Sequence, residues 1–269
     1  MFSKLFKYDF HYVFRFWWIF AVASVGLSLV GGFLVRALVE MYFANIENFL
    51  LELLCILGLF AVVVVLCFFP AAAIIGCLIR YYKNFFSDEG YLTFTLPVSR
   101  TTLLNSKIVN YITFSLISLL VLLIDALIIA FIGSAEGTIH FFKELGHSLF
   151  YLDWNGQLIA FVILIPIFLI VALVMGVCIY YLSITIGSII SKKHKVLTGI
   201  GVYYGINMVL SGIQQIFWVL TMNTFYTGTA ETIATFTLYL LFSTILYTML
   251  GVAAYCVNLY CIKNKLNLN

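Results

Sequence analysis

The sequence predicts an all-α polytopic membrane protein with six transmembrane helices, and three observations carry that expectation. Only 9% of the 269 residues are charged and 64% are hydrophobic, whereas a soluble domain carries roughly a quarter charged residues. Six stretches reach the ~18 apolar residues that mark a bilayer crossing. The basic residues gather in alternate loops, as they do in proteins threaded through a membrane.

The chain opens with MFSKLFKYDFHYVFRFWW. Lys4, Lys7, His11 and Arg15 recur every three or four residues, with Phe2, Phe6, Phe10, Val13 and Trp17 facing the other way. This pattern predicts an N-terminal amphipathic helix over 1–15, lying in the membrane interface with its cations over the head groups and its aromatics below. A plain basic flank of the first span is the alternative. The first span covers 16–38; it is aromatic-rich and no small-residue cleavage site follows it, so it is read as a span rather than a cleaved leader. The second span covers 50–79, with no charge between 53 and 79.

A polar segment over 80–103 then interrupts the apolar pattern. Ser87 is a good N-cap, Asp88 and Glu89 suit the first turn of a helix, and Pro97 ends it, so a short helix is expected from about 88 to 96. Gly90 lowers its intrinsic propensity. Ser99 or Thr101 caps the third span, 104–132. An extracellular loop follows over 133–156, where TIHFFKELGHSLF predicts a short surface helix. The remaining spans cover 157–190, 196–221 and 232–262, the fourth and fifth joined by the tight turn SKKHK. No internal repeat or low-complexity tract is found, and the whole is read as a single transmembrane domain.

Orientation follows from charge. With both termini cytoplasmic, twelve of the 14 Lys and Arg residues are inside, and only Arg36 and Lys143 are outside. The net charge of +3 therefore reflects topological anchors with an attraction for anionic membrane lipids, and no nucleic-acid partner is expected. The six cysteines fall in or at the ends of spans with no CxxC spacing, and are read as small hydrophobes.

Catalytic chemistry finds little support. No lysine follows a glycine, so the chain holds no GxxxxGK[ST] phosphate loop. There is no HExxH or GxSxG, and no enzyme activity, catalytic residue or metal site is expected. His140, Glu144 and His147 share a loop, where ordinary loop roles outweigh a metal site. Asp125 is the one carboxylate inside a span. Counted from the start of the third span it lies about 30 Å along, near the outer interface and within reach of water, and a structural role is weighed against proton coupling. On the fifth span Tyr203, Asn207, Ser211 and Gln214 or Gln215 recur every three to four residues; they are read equally as helix–helix glue and as a substrate path or dimer interface.

The segment DEGYLTFTLPVSRTTLLNSK resembles the piece between the second and third spans of permease subunits of the ABC-2 family of ABC transporters, of the Gram-positive bacterial type. The FSKLFKYDF opening and the KNKLNLN ending are similar too. The resemblance implies a coupling helix made by Ser87, Asp88, Glu89, Gly90, Tyr91, Leu92 and Thr93, continuing through Phe94, Thr95, Leu96 and Pro97. Asp88 and Glu89 would contact a separate ABC ATP-binding subunit, while Phe94 and Leu96 would pin the helix to the membrane domain. It further implies a second permease subunit, as homodimer or heterodimer, a bacterial cell membrane location, and no cofactor in this chain, since ATP and Mg would be bound by the partner ATPase. The function expected is ATP-driven export of a peptide, lipid-like molecule or drug. The alternatives are a non-transporting membrane sensor or assembly protein and an ion-coupled secondary transporter.

Overall fold

The computed structural model describes residues 2–44, 48–95, 97–152, 154–191, 193–226 and 232–264. Eight helices account for nearly all of them: α1 (Phe2–Phe43), α2 (Phe49–Phe86), α3 (Asp88–Thr95), α4 (Arg100–Gly133), α5 (Ala135–Phe150), α6 (Gly156–Ile190), α7 (Lys195–Tyr226) and α8 (Thr232–Asn264). Six of them, α1, α2, α4, α6, α7 and α8, are long and apolar enough to cross a membrane. The chain is an all-α, multi-pass membrane protein. The chain divides into two compact units, one of residues 6–80 and 113–152, the other of 1–5, 81–112 and 153–269.

In the first unit α1 runs antiparallel to α2 and parallel to α4. Small residues set the spacing: a methyl on Gly32 would come within 2.7 Å of Ile132 Cβ, and one on Gly31 within 3.1 Å of Val62 and 3.4 Å of Ile129. Without a hydrophobic drive between helices in lipid, such close backbone approach and buried hydrogen bonds hold them together. Trp17 supplies a buried hydrogen bond, donating from Nε1 to Ser118 Oγ at 2.8 Å, while its ring meets Phe69 and Phe114 at 5.9 Å each.

This packing changes the reading of the N-terminus. The separate interfacial helix expected over 1–15 and the span expected over 16–38 are one uninterrupted helix. No proline lies in α1 and its first glycine is Gly26, so nothing breaks it. Within residues 6–17 the face carrying Phe10, Val13 and Trp17 packs on protein rather than on lipid, with Phe10 stacked 4.9 Å from Phe114. Asp9 joins that face: it is buried, and its Oδ1 accepts from Arg80 Nε at 3.1 Å, with the guanidinium 4.5 Å from the Tyr12 ring.

In the second unit α6 and α7 form an antiparallel hairpin, and α8 packs parallel to α6. Glycine permits both contacts. A methyl on Gly187 would fall on the backbone of Gly199, and one on Gly251 would come within 3.4 Å of Met175 Cα. The turn between α6 and α7 is closed by His194 N donating to Ser191 Oγ at 3.0 Å.

Elsewhere the helices run a few residues past the expected spans, furthest at the end of α2. Charge marks where a helix leaves lipid, not where it stops. Arg80, Lys83 and Asn84 stay helical because Tyr81, Phe85 and Phe86 between them are buried. The 133–156 loop contains the 16-residue helix α5, capped by Ser134 Oγ accepting from Gly137 N at 3.2 Å.

Candidate functional site

The polar break after α2 folds into a short helix tied to the membrane helices on one side. Ser87 ends α2, and its hydroxyl donates back to Lys83 O at 2.6 Å instead of capping α3. Gly90 N donates to Ser87 O at 2.8 Å, which turns the chain sharply. Gly90 is buried in that turn: an added Cβ would lie 3.0 Å from Phe85 O and 3.2 Å from Phe85 C. The glycine that weakens α3 as a helix is what lets it cross the last turn of α2. A Gly90→Val change is therefore expected to lift α3 off α2 and to raise tryptic cleavage between Lys83 and Arg100 several-fold, with the thermal midpoint in detergent little altered.

Phe94 anchors the far end of α3, its ring 5.6 Å from Phe85 edge-on and 5.4 Å from the Arg100 guanidinium. Arg100 itself donates to the carbonyls of Ile262 and Lys263 at the end of α8. Lys195, the first residue of α7, donates from Nζ to Phe86 O at 3.3 Å. Two cations thus satisfy carbonyls that helix ends leave without partners. The outer side of α3 is different: Glu89 is exposed, as are Tyr91 and Leu92, at 68% and 69%. Thr93 is half-buried, and its hydroxyl donates to Glu89 O at 2.9 Å. The side chain of Asp88, and Leu96 altogether, lie outside the described residues.

Beneath α3 lies a buried polar and aromatic cluster that the sequence reading missed. Tyr81 is fully buried and stacks on Tyr181 at 4.0 Å. Its hydroxyl meets Thr185 Oγ1 at 2.8 Å and Asn258 Oδ1 at 3.3 Å, and Thr185 Oγ1 lies 2.7 Å from Asn258 Oδ1. Tyr181 in turn donates to Lys107 O at 3.1 Å. The end of α2, the start of α4, α6 and α8 therefore meet at one point, one turn below Phe85. The signal available in sequence was the aromatic run YYKNFF and Asn258 inside the apolar stretch of α8.

The fifth-span stripe does not act as one surface. Tyr203 stacks on Tyr180 at 4.7 Å and their hydroxyls are 3.1 Å apart. Gln214 Nε2 donates to Tyr247 OH at 2.9 Å. Asn207 and Ser211 bond back to their own helix, at Tyr203 O and Met208 O. Tyr203, Asn207 and Gln214 are half-buried, while Ser211 and Gln215 are exposed. An apolar cleft of about 570 Å³ in the same unit is lined instead by α4, α6 and α8, among them Ile108, Val174, Met175, Thr248, Gly251 and Tyr255. None of the stripe residues lines it.

Asp125 is not where a count along its own helix puts it. It is 1% exposed, and the groups against its carboxyl are the hydroxyls of Ser24 and Ser28 on α1. Those serines sit at the centre of the charge-free run 16–35, so the carboxyl faces the middle of the apolar band. The ruler fails because α4 begins at Arg100, well before its own apolar stretch. An ionised aspartate at that depth costs roughly 3 kcal/mol on insertion scales. His140 Nδ1 and Glu144 Oε1 are 3.6 Å apart and exposed, and among the described residues no three His, Cys, Asp or Glu side chains converge on a metal site. No family model, curated protein or solved structure matches the chain.

Proposed function

We propose that the chain is the membrane-spanning permease subunit of an ATP-driven ABC exporter, working with a separate ATP-binding subunit and a second permease subunit in the bacterial cell membrane, both termini cytoplasmic. The observation that carries this reading is α3: a helix too short to cross a membrane, held by Gly90 and Phe94 on one side and offering Glu89, Tyr91 and Leu92 on the other. Exposed aromatic and aliphatic side chains beside a carboxylate suit docking into a groove of a soluble partner. That partner holds ATP and Mg.

The seating of α3 favours transmission of force. A push on α3 reaches Phe85, then Tyr81, and through Tyr181, Thr185 and Asn258 the helices α6 and α8 that line the apolar cleft. The cleft favours a hydrophobic or amphipathic cargo such as a peptide, lipid-like molecule or drug. Closure of the ATPase pair around nucleotide supplies the energy difference between inward and outward states, and this chain turns it into a change of access.

The test is affinity purification of the tagged chain from its native membrane in mild detergent, with mass spectrometry and ATP hydrolysis as readouts. A P-loop ATPase is expected with the wild type and at least about tenfold less of it with Glu89→Ala/Tyr91→Ala/Leu92→Ala, a loss of about 1.4 kcal/mol or more in binding. These exposed positions are expected to leave the thermal midpoint within about 0.5 kcal/mol of wild type. Equal recovery of the ATPase with both proteins, or its absence from both, sinks the reading.

A further inference from the structure

We infer that Asp125, with the hydroxyls of Ser24 and Ser28, forms a binding site for a single monovalent positive charge, a proton or a sodium-sized cation, inside the α1–α2–α4 unit near the middle of the membrane. The inference is independent of the ATPase.

The geometry points there in three steps. First, Asp125 is nine-tenths or more buried, and among the described residues neither carboxyl oxygen accepts a hydrogen bond of good geometry. Such oxygens are ordinarily paired, and the exceptions call for an explanation. Second, each neighbouring hydroxyl has a carbonyl of its own helix to donate to, Ser24 Oγ to Ala21 O at 2.9 Å and Ser28 Oγ to Val25 O at 2.8 Å. A hydroxyl that gives its proton to its own helix keeps lone pairs for a positive charge held beside the carboxyl. A carboxyl with two hydroxyls against it can receive a positive charge: the proton of a carboxylic acid donated to a serine oxygen, or a hard cation held by carboxylate and hydroxyls. Third, among the described residues no ion pair to the aspartate is found. Within the same unit the charged side chains on the helices around it are Lys7, Asp9, Arg15, Arg36 and Glu40 on α1, Glu52 and Arg80 on α2, and Glu136, Lys143 and Glu144 on α5. Arg15 and Arg36, the charged residues of α1 nearest in sequence to the serines, are each about two turns or more from them. Arg80 is already bonded to Asp9.

One carboxylate matches one charge. A divalent ion would leave the site positive, and among the described residues no three His, Cys, Asp or Glu side chains gather to hold one. A purely structural polar contact would need no carboxylate, since an asparagine between two serines holds helices together without a charge to neutralise.

The experiment uses the full-length purified protein in detergent with dicyclohexylcarbodiimide, an apolar reagent that modifies protonated carboxyls within membranes, and peptide mass spectrometry as readout. Modification at Asp125 is expected in wild type, falling as pH rises. Protection by NaCl but not by choline chloride assigns the site to a metal cation, and modification indifferent to NaCl assigns it to the proton. Ser24→Ala/Ser28→Ala is expected to shift the half-protecting sodium concentration, or the pH of half-modification, by about tenfold in concentration terms. In parallel the thermal midpoint of wild type is expected to respond to pH or to NaCl, a response missing from the isosteric Asp125→Asn. Absence of modification at Asp125 at every pH, together with identical responses of wild type and Asp125→Asn, overturns the inference.

Discussion

Gly187→Val is expected to cost about 3 kcal/mol, the upper end of overpacking penalties, and to lower both the thermal midpoint and the yield of monodisperse protein in detergent. Even the first added carbon would fall on the backbone of Gly199 and come within 2.9 Å of Lys195 O. Backbone cannot swing aside as a long side chain does. The turn from Ser191 to His194 that follows is too short to absorb a displacement, so α6 and α7 would have to part. That separation would also loosen Tyr203 from Tyr180, whose stacking lies further along the same pair of helices. Gly176→Val is the control: nothing lies within 4 Å of its added carbon, and near-wild-type melting is expected. Equal melting of the two variants would show that the close approach of α6 and α7 does not hold the protein together.

The second large effect is expected at Tyr81. Truncation to alanine removes a fully buried ring stacked on Tyr181, and large-to-small changes of a buried aromatic cost about 3–5 kcal/mol. Tyr81→Phe keeps the ring and removes only the hydroxyl. Thr185 and Asn258 still have each other, so the cost should be close to that of one net hydrogen bond, about 1 kcal/mol. Thermal midpoints of the two variants separate packing from polar pairing; a Tyr81→Phe as damaging as Tyr81→Ala would show that the hydroxyl network dominates. Under the proposed function Tyr81→Ala has a further signature: ATPase binding at α3 persists while hydrolysis no longer responds to cargo, because the chain of contacts from Phe85 to α6 is broken.

How much of this was legible beforehand depends on whether the signal was local. The six long helices were legible because lipid demands runs of apolar residues and excludes charge from them, and both features are written in consecutive residues. The short helix α3 was legible for a similar reason: a polar break, carboxylates at its start and a proline beyond its end are local punctuation. What Gly90 does there was not, because a glycine's propensity says nothing about the carbonyl of Phe85 waiting beneath it. Asp9 carried an ordinary charge in a basic-looking flank; only the fold brings Arg80, seventy-one residues away, to its side. Asp125 failed for a subtler reason. Its depth was counted along α4, whereas depth is set by what lies beside it, and Ser24 and Ser28 belong to another helix. The fifth-span stripe was legible as polar residues at helical spacing, but periodicity could not say that Gln214 meets Tyr247 while Gln215 is exposed.

The hairpin of α6 and α7 bears on the order in which the protein can be made. Gly187 and Gly199 are separated by few residues along the chain, so the loop that closes between them costs little entropy, and the two helices can pair while the ribosome is still adding α8. The contact between α1 and α4 has no such shortcut. Trp17 finds Ser118 only after a further 101 residues have been synthesised, and until then the indole N–H and the glycine surface of α1 have no α4 to meet. The early helices must therefore wait in the membrane half-assembled, exposed to whatever chaperones and proteases act on nascent chains. A sequence change that weakens the contact between α1 and α4 is expected to act first on how much protein accumulates, before any effect on what the assembled protein does.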